Sequence, residues 1–181
     1  MTSKEEAFRQ LNSNPFSNCP SVELNEEEMH ELRKLSDQMY NLNLDNDVHL
    51  CNDKNELGLM GEYAFAKYYD LDFSYVLGEG DLGFDYKVYN QKVGATGTID
   101  VKTTKFTDGH LLVRTDKSLD ADAYFLIVKV GNEFGLVGAA YKHDLENANV
   151  KTFKRESRAI EQGDLRTVPP PERYTLVNDD K

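Results

Sequence analysis

Apolar and polar positions change period along this chain, and the changes mark its elements. From residue 26 to 42, Met29, Leu32, Leu35, Met39 and Leu42 recur three or four apart, the spacing of one helix face. Asn25 ahead of Glu26-Glu27-Glu28 supplies a capping side chain, then acids where the positive helix end favours them. A stripe of this kind packs into a core. A second helix is predicted over roughly residues 55–70, with Leu57, Gly61, Ala64, Phe65 and Tyr68 on one face. Its small residues allow close approach to a sheet, and Glu62 lies within it beside Gly61.

Beyond that helix the pattern is mostly that of strands, at about 73–77, 84–90, 97–104, 110–115, 122–130 and 134–140. Ala123-Tyr124-Phe125-Leu126-Ile127-Val128 is one continuous apolar run, and Gly131-Asn132 after it is a tight-turn signal. A short helix is predicted around Lys142 to Asn147. Pro169-Pro170-Pro171 stops regular structure and favours an extended polyproline segment. The resulting division is a loose N-terminal arm over 1–20, a helical extension over 21–50, a core over 51–165 and a C-terminal tail over 166–181.

Composition bounds this picture. A chain of 181 residues with 39% hydrophobic positions, ten Tyr and nine Phe can build one domain with a real core. No apolar run approaches the length of a membrane span, and the N-terminus carries no hydrophobic signal segment. Cys19 and Cys51 are too few for a disulfide framework or a thiolate zinc site, so a cytoplasmic, reducing compartment is the simplest expectation.

Charge argues against an easy nucleic-acid reading, since the formal net charge is −11. The surplus is uneven: residues 1–56 hold five Lys/Arg against twelve Asp/Glu, and residues 57–181 carry only −4. Lys151, Lys154, Arg155 and Arg158 form a modest basic cluster, either a phosphate contact or a solvated face.

The candidate chemistry lies between Asp85 and Lys102. In Thr98-Ile99-Asp100-Val101-Lys102-Thr103-Thr104, strand alternation puts Asp100 and Lys102 on one face and Ile99 and Val101 on the other. If the strand starting near Gly83 pairs with this one, Asp85 sits beside Asp100. Two adjacent carboxylates repel unless a proton or cation lies between them, and hard oxygen donors suit Mg²⁺ or Mn²⁺. With Lys102 aimed at the same ion, the set suggests metal-assisted hydrolysis of a phosphodiester.

A helix bearing Glu62, a strand bearing Asp85 and a strand bearing Asp100-Val101-Lys102, in that order, resemble the PD-(D/E)XK nuclease superfamily. The likeness is closest to small phage-type and archaeal-virus nucleases of the RecB-like and Holliday-junction-resolvase-like groups. It covers roughly Leu57 to Tyr141 and is carried by Gly61-Glu62-Tyr63-Ala64-Phe65, Gly80-Asp81-Leu82-Gly83-Phe84-Asp85 and Ile99-Asp100-Val101-Lys102-Thr103-Thr104. Phe84 replaces the family's proline, Asp100 replaces the commoner glutamate, and no Gln-x-x-x-Tyr element follows.

The resemblance implies a restriction-endonuclease-like α/β core, with a mixed central sheet flanked by helices. It implies metal binding by Asp85, Asp100 and the Val101 carbonyl, and DNA as substrate. Lys102 would orient the attacking water and stabilise the transition state, and Glu62 would assist through a second ion or a metal-bound water. A homodimer is compatible with the likeness, since many relatives act as dimers, although no coiled-coil heptad supports one.

Rival signals are weaker. Gly78-Glu79-Gly80-Asp81-Leu82-Gly83 satisfies a dinucleotide-binding glycine pattern, but a strand-like stretch follows where that fingerprint needs a helix. Asp81 competes with Asp85 for the metal, from a loop. Thr103 and Thr104 are either phosphate contacts or plain strand formers. His30, His49, His110 and His143 lack zinc-ligand spacing, and His110 is either a half-exposed structural residue or a substrate neighbour. The alternative function is a non-catalytic acidic binding protein on the same fold, a DNA mimic or partner-binding module. Lys102 among the acids argues against it.

Overall fold

Asn25 and Glu28 close a reciprocal capping box, each side chain accepting from the other's backbone N–H at 2.9 and 2.8 Å. From there helix α1 runs Glu26–Asp45. The computed structural model describes residues 16–45, 52–73 and 83–177. Most of the N-terminal arm, Cys51, His49, the strand expected near 73–77 and the glycine-rich loop with Asp81 lie outside them. Met29 and Leu32 of the predicted stripe are buried, and Leu35 and Met39 pack against the same core.

Helix α2, Asn52–Tyr69, lies against the sheet along Ala64 and Phe65, both fully buried. The Phe65 ring meets Tyr69, Phe125 and Tyr86 with centroids 4.7 to 5.1 Å apart, a cluster that joins the helix to two strands. The helix ends at Asp70, whose positive φ of 53° lets Leu71 N–H reach back to the Ala66 carbonyl.

The strands are β1 (Ser21–Glu23), β2 (Tyr86–Asn90), β3 (Ala95–Thr104), β4 (Leu111–Arg114), β5 (Ala123–Val130), β6 (Glu133–Tyr141), β7 (Asn149–Thr152), β8 (Glu156–Ile160) and β9 (Tyr174–Leu176). A five-residue helix α3, Lys142–Glu146, follows β6. Six strands form a mixed sheet in the order β1-β6-β5-β3-β2-β9, while β4, β8 and β7 form a second, three-stranded sheet. Within the large sheet β3 and β5 are parallel and the other neighbours antiparallel. The fold is therefore α/β with a mixed sheet. Gly131, with φ +60°, opens the two-residue turn between β5 and β6 where the sequence predicts one.

Both faces of the large sheet are covered, which accounts for the unbroken apolar run of β5. Phe125 and Ile127 join Ile99, Val101 and the α1–α2 residues in one core. Tyr124 and Leu126 point the other way, into a second core with Leu111 and Val113 of β4 and Ile160 of β8. Asp100 pairs with Tyr124 and Lys102 with Leu126 in the parallel register, so both polar residues face the small sheet.

Sequence expectations need correction after residue 148. The basic cluster lies on the β7–β8 hairpin, where the sequence predicts no strands. Regular structure also resumes past the prolines, where β9 pairs with β2 and Val177 N–H donates to the Lys87 carbonyl. Tyr174 is buried against Tyr69 and Phe125, and this apolar anchor docks the C-terminal segment.

Candidate active site

The site forms where β2 parts from β3. Tyr86 pairs with Ile99, and Asp85 N–H also donates to the Ile99 carbonyl at 2.8 Å, so two residues face one as in a β-bulge. Asp85 therefore stands just outside the ladder. Its Oδ2 accepts from Val101 N–H at 2.6 Å, a hydrogen bond made by side chain instead of strand. A strand residue sends its N–H and C=O to the same side, so the Val101 carbonyl faces this opening as well. The sequence places Asp85 on the strand itself; it stands one residue ahead of β2, and its carboxylate and that of Asp100 line the same cleft.

Asp100 is nearly buried, and Lys102 Nζ donates to its Oδ1 at 2.6 Å. Together with Asp85 they line an open cleft of about 600 Å³ between the large sheet and the small one. Arg114, Lys117, Ser118 and Asp120 complete its polar lining. Arg114 pairs with Asp116, and Asp120 accepts from the Ser118 hydroxyl. Gly83, with φ +80°, passes so close to Asp120 that a Cβ there would stand 2.7 Å from its side chain.

Asp85 carries the electrostatic strain of the site. Although the residue is exposed towards the cleft, its carboxyl is set deep enough for desolvation to push its pKa well above the usual aspartate range. Glu62 and then Asp100 push it further, while the Val101 N–H and Lys102 act the other way. Glu62 thus acts on Asp85 from the helix side without lining the cleft, and its backbone carbonyl accepts from the Tyr86 hydroxyl at 2.7 Å. Among the described residues, no three His, Cys, Asp or Glu side chains close round one point. Mg²⁺ does not require such a cage, since it is commonly held by one or two carboxylates, with waters and phosphates completing its shell. Asp85, Asp100 and the Val101 carbonyl are a donor set of that kind.

Other sequence candidates have different places. The Thr103 hydroxyl is buried against Gly61 without a hydrogen-bond partner among the described residues. Thr104 Oγ1 accepts from Phe106 N–H and shapes the loop after β3. His110 lies in a neighbouring cleft, its Nε2 3.2 Å from Lys151 Nζ. Of the basic cluster, Lys151 pairs with Glu161 and Arg158 donates to the Arg114 and Lys117 carbonyls. Sequence reasoning missed Arg114, Lys117 and Asp120. The only signal was indirect: residues just before β5 arrive beside β3 once those strands pair in parallel. Comparison of the chain with protein-family models, curated proteins and solved structures finds no match.

Proposed function

We propose that this chain is a divalent-metal-dependent nuclease that hydrolyses phosphodiester bonds in DNA, organised in the manner of PD-(D/E)XK enzymes. One observation carries the reading. Asp85, just ahead of β2, and Asp100 and Lys102 of β3 reach one open cleft, and the anionic form of Asp85 is disfavoured by burial, Glu62 and Asp100. A cation between the carboxylates relieves that repulsion.

Asp85, Asp100 and the Val101 carbonyl would hold Mg²⁺ or Mn²⁺, which when bound supplies an acidified water and polarises the phosphate. Lys102 places a positive charge beside the scissile group, where it stabilises the negative charge that grows in the transition state. Arg114 and Lys117, across the cleft, attract the flanking phosphates. Glu62 deepens the negative potential at Asp85 and so favours a cation there.

The net charge of −11 favours a second reading, a non-catalytic acidic protein that imitates DNA in a partner's groove. That reading gives Lys102 no task among the acids. Incubating the full chain with plasmid and single-stranded DNA in Mg²⁺, Mn²⁺ or EDTA separates the two. Cleavage in either metal and none in EDTA is expected. Intact DNA under every condition overturns the nuclease reading and leaves the mimic.

A further inference from the structure

A second cleft, about 490 Å³, adjoins the acidic one and shares Lys102 and Leu112 with it. Its character is different: Phe106, His110, Phe153, Leu112 and Leu126 make it largely apolar, with Asp108 at its margin. Phe106 and Phe153 are 73% and 52% exposed, so two large rings are held in solvent at one opening. Grouped at one opening, exposed apolar rings are a feature of interaction sites, unlike apolar side chains scattered singly.

Neither ring sits on a loose segment. The loop carrying Phe106 is tied by Phe106 N–H to Thr104 Oγ1 and by Gly109 N–H to the Phe106 carbonyl. The Gln162 amide then clamps it through the carbonyls of Thr107 and Gly109, both at 2.9 Å. Phe153 stands on the β7–β8 hairpin, with the His110 ring edge-on to it at 5.7 Å. His110 is in turn held beside the Lys151–Glu161 ion pair. Lys154 and Arg155, next to Phe153 in the hairpin, are exposed cations.

Pre-set aromatic faces, flanking cations and continuity with a phosphate site are the components of a single-strand stacking platform. We propose that this cleft holds an unpaired nucleobase of the DNA strand whose phosphate lies at Lys102, stacked on Phe153 and Phe106. The inference rests on the nuclease reading and adds its substrate class: single-stranded or locally unpaired DNA. A duplex keeps its base faces stacked within the helix, so it cannot offer them to these rings. Lys154 and Arg155 meet the phosphates on either side of the held base.

The test uses the full chain in Ca²⁺ and fluorescence anisotropy with labelled oligothymidylate of about 12 nucleotides, the same strand carrying abasic sites, and a duplex. Phe153→Ala should weaken single-strand binding about tenfold, Phe153→Tyr should restore it, and Phe106→Ala should act in the same direction. The abasic strand should bind the wild type about tenfold more weakly and lose nothing further in Phe153→Ala. Both rings are surface residues, so thermal melts should show the variants folded.

Equal affinity for normal and abasic strands, or single-strand binding unchanged by Phe153→Ala, overturns the platform even if DNA is cut in Mg²⁺. Base-dependent binding without cleavage in any metal supports the platform while the nuclease reading fails. Failure to bind any oligonucleotide overturns both.

Discussion

At the scale of single residues, Asp85 and its neighbours make the account testable without substrate. Its carboxyl pKa is raised in the folded chain, so the folded state keeps a proton that the unfolded state has already lost. The stability of the metal-free protein should therefore fall as pH rises from the ordinary aspartate range through the raised value. Asp85→Asn keeps an acceptor for Val101 N–H and removes the charge. It should flatten that slope and raise metal-free stability at pH 7 by about 1 kcal/mol, a modest gain because the open side of the cleft screens the charges. Thermal melts between about pH 4 and 8, with and without Mn²⁺, check this; an unchanged slope in the variant would place the titration elsewhere. Asp100 and Lys102 separate differently. Asp100→Asn should weaken Mn²⁺ binding at least about tenfold, whereas Lys102→Ala should spare it and depress the chemical step. Equal losses in a calorimetric titration would mean that Lys102 organises the metal site instead of serving the reaction.

At the scale of elements, the contact of α2 with β3 is the most constrained joint. A Cβ on Gly61 would overlap the Thr103 hydroxyl and lie 2.9 Å from two Thr103 carbons. Gly61→Ala should thus destabilise by about 1–3 kcal/mol, despite the helical preference for alanine. Gly58→Ala, one turn earlier, meets nothing closer than the Glu62 carboxylate at 3.9 Å and should gain up to about 1 kcal/mol. Denaturant titrations check the pair, and Thr103→Ala in the Gly61→Ala background should recover part of the loss, since it removes the hydroxyl and methyl but leaves Cβ at 2.9 Å. Elements whose own residues encode their surroundings were legible in the sequence: the α1 stripe, the alternation of β3 and the apolar run of β5. Strands β1 and β9 were not, because they are short edge strands whose partners are remote in sequence. The β7–β8 hairpin was equally hidden, its charged and aromatic positions resembling a solvated segment. Asp85, Asp100 and Lys102 could be found because their spacing is local. Arg114, Lys117 and Asp120 enter the cleft only through the packing of one sheet on another.

At the scale of the molecule, charge and function pull against each other. On the proposed reading, a chain of net charge −11 must bring a polyanion to a cleft lined by Asp85, Asp100 and Asp120. Lys102, Arg114 and Lys117 equal those acids in number, but Arg114 is already paired with Asp116 and Glu62 adds negative potential at Asp85, so a divalent cation should promote DNA binding before it promotes cleavage. At fixed ionic strength, DNA affinity should be low in EDTA and raised by Ca²⁺, about tenfold or more. Affinity that ignores the metal would contradict this gating. Among the described residues, no helix is long and apolar enough to cross a membrane. The central claim is that the Asp85–Asp100–Lys102 cleft itself cuts DNA. Its most direct test is plasmid cleavage in Mg²⁺ by the wild type and by Lys102→Ala, purified side by side. Nicking or linearisation by the wild type is expected, with a rate lower by about 10²–10³ in Lys102→Ala and Mn²⁺ affinity retained. Equal cleavage by both proteins, or none by the wild type, would contradict it.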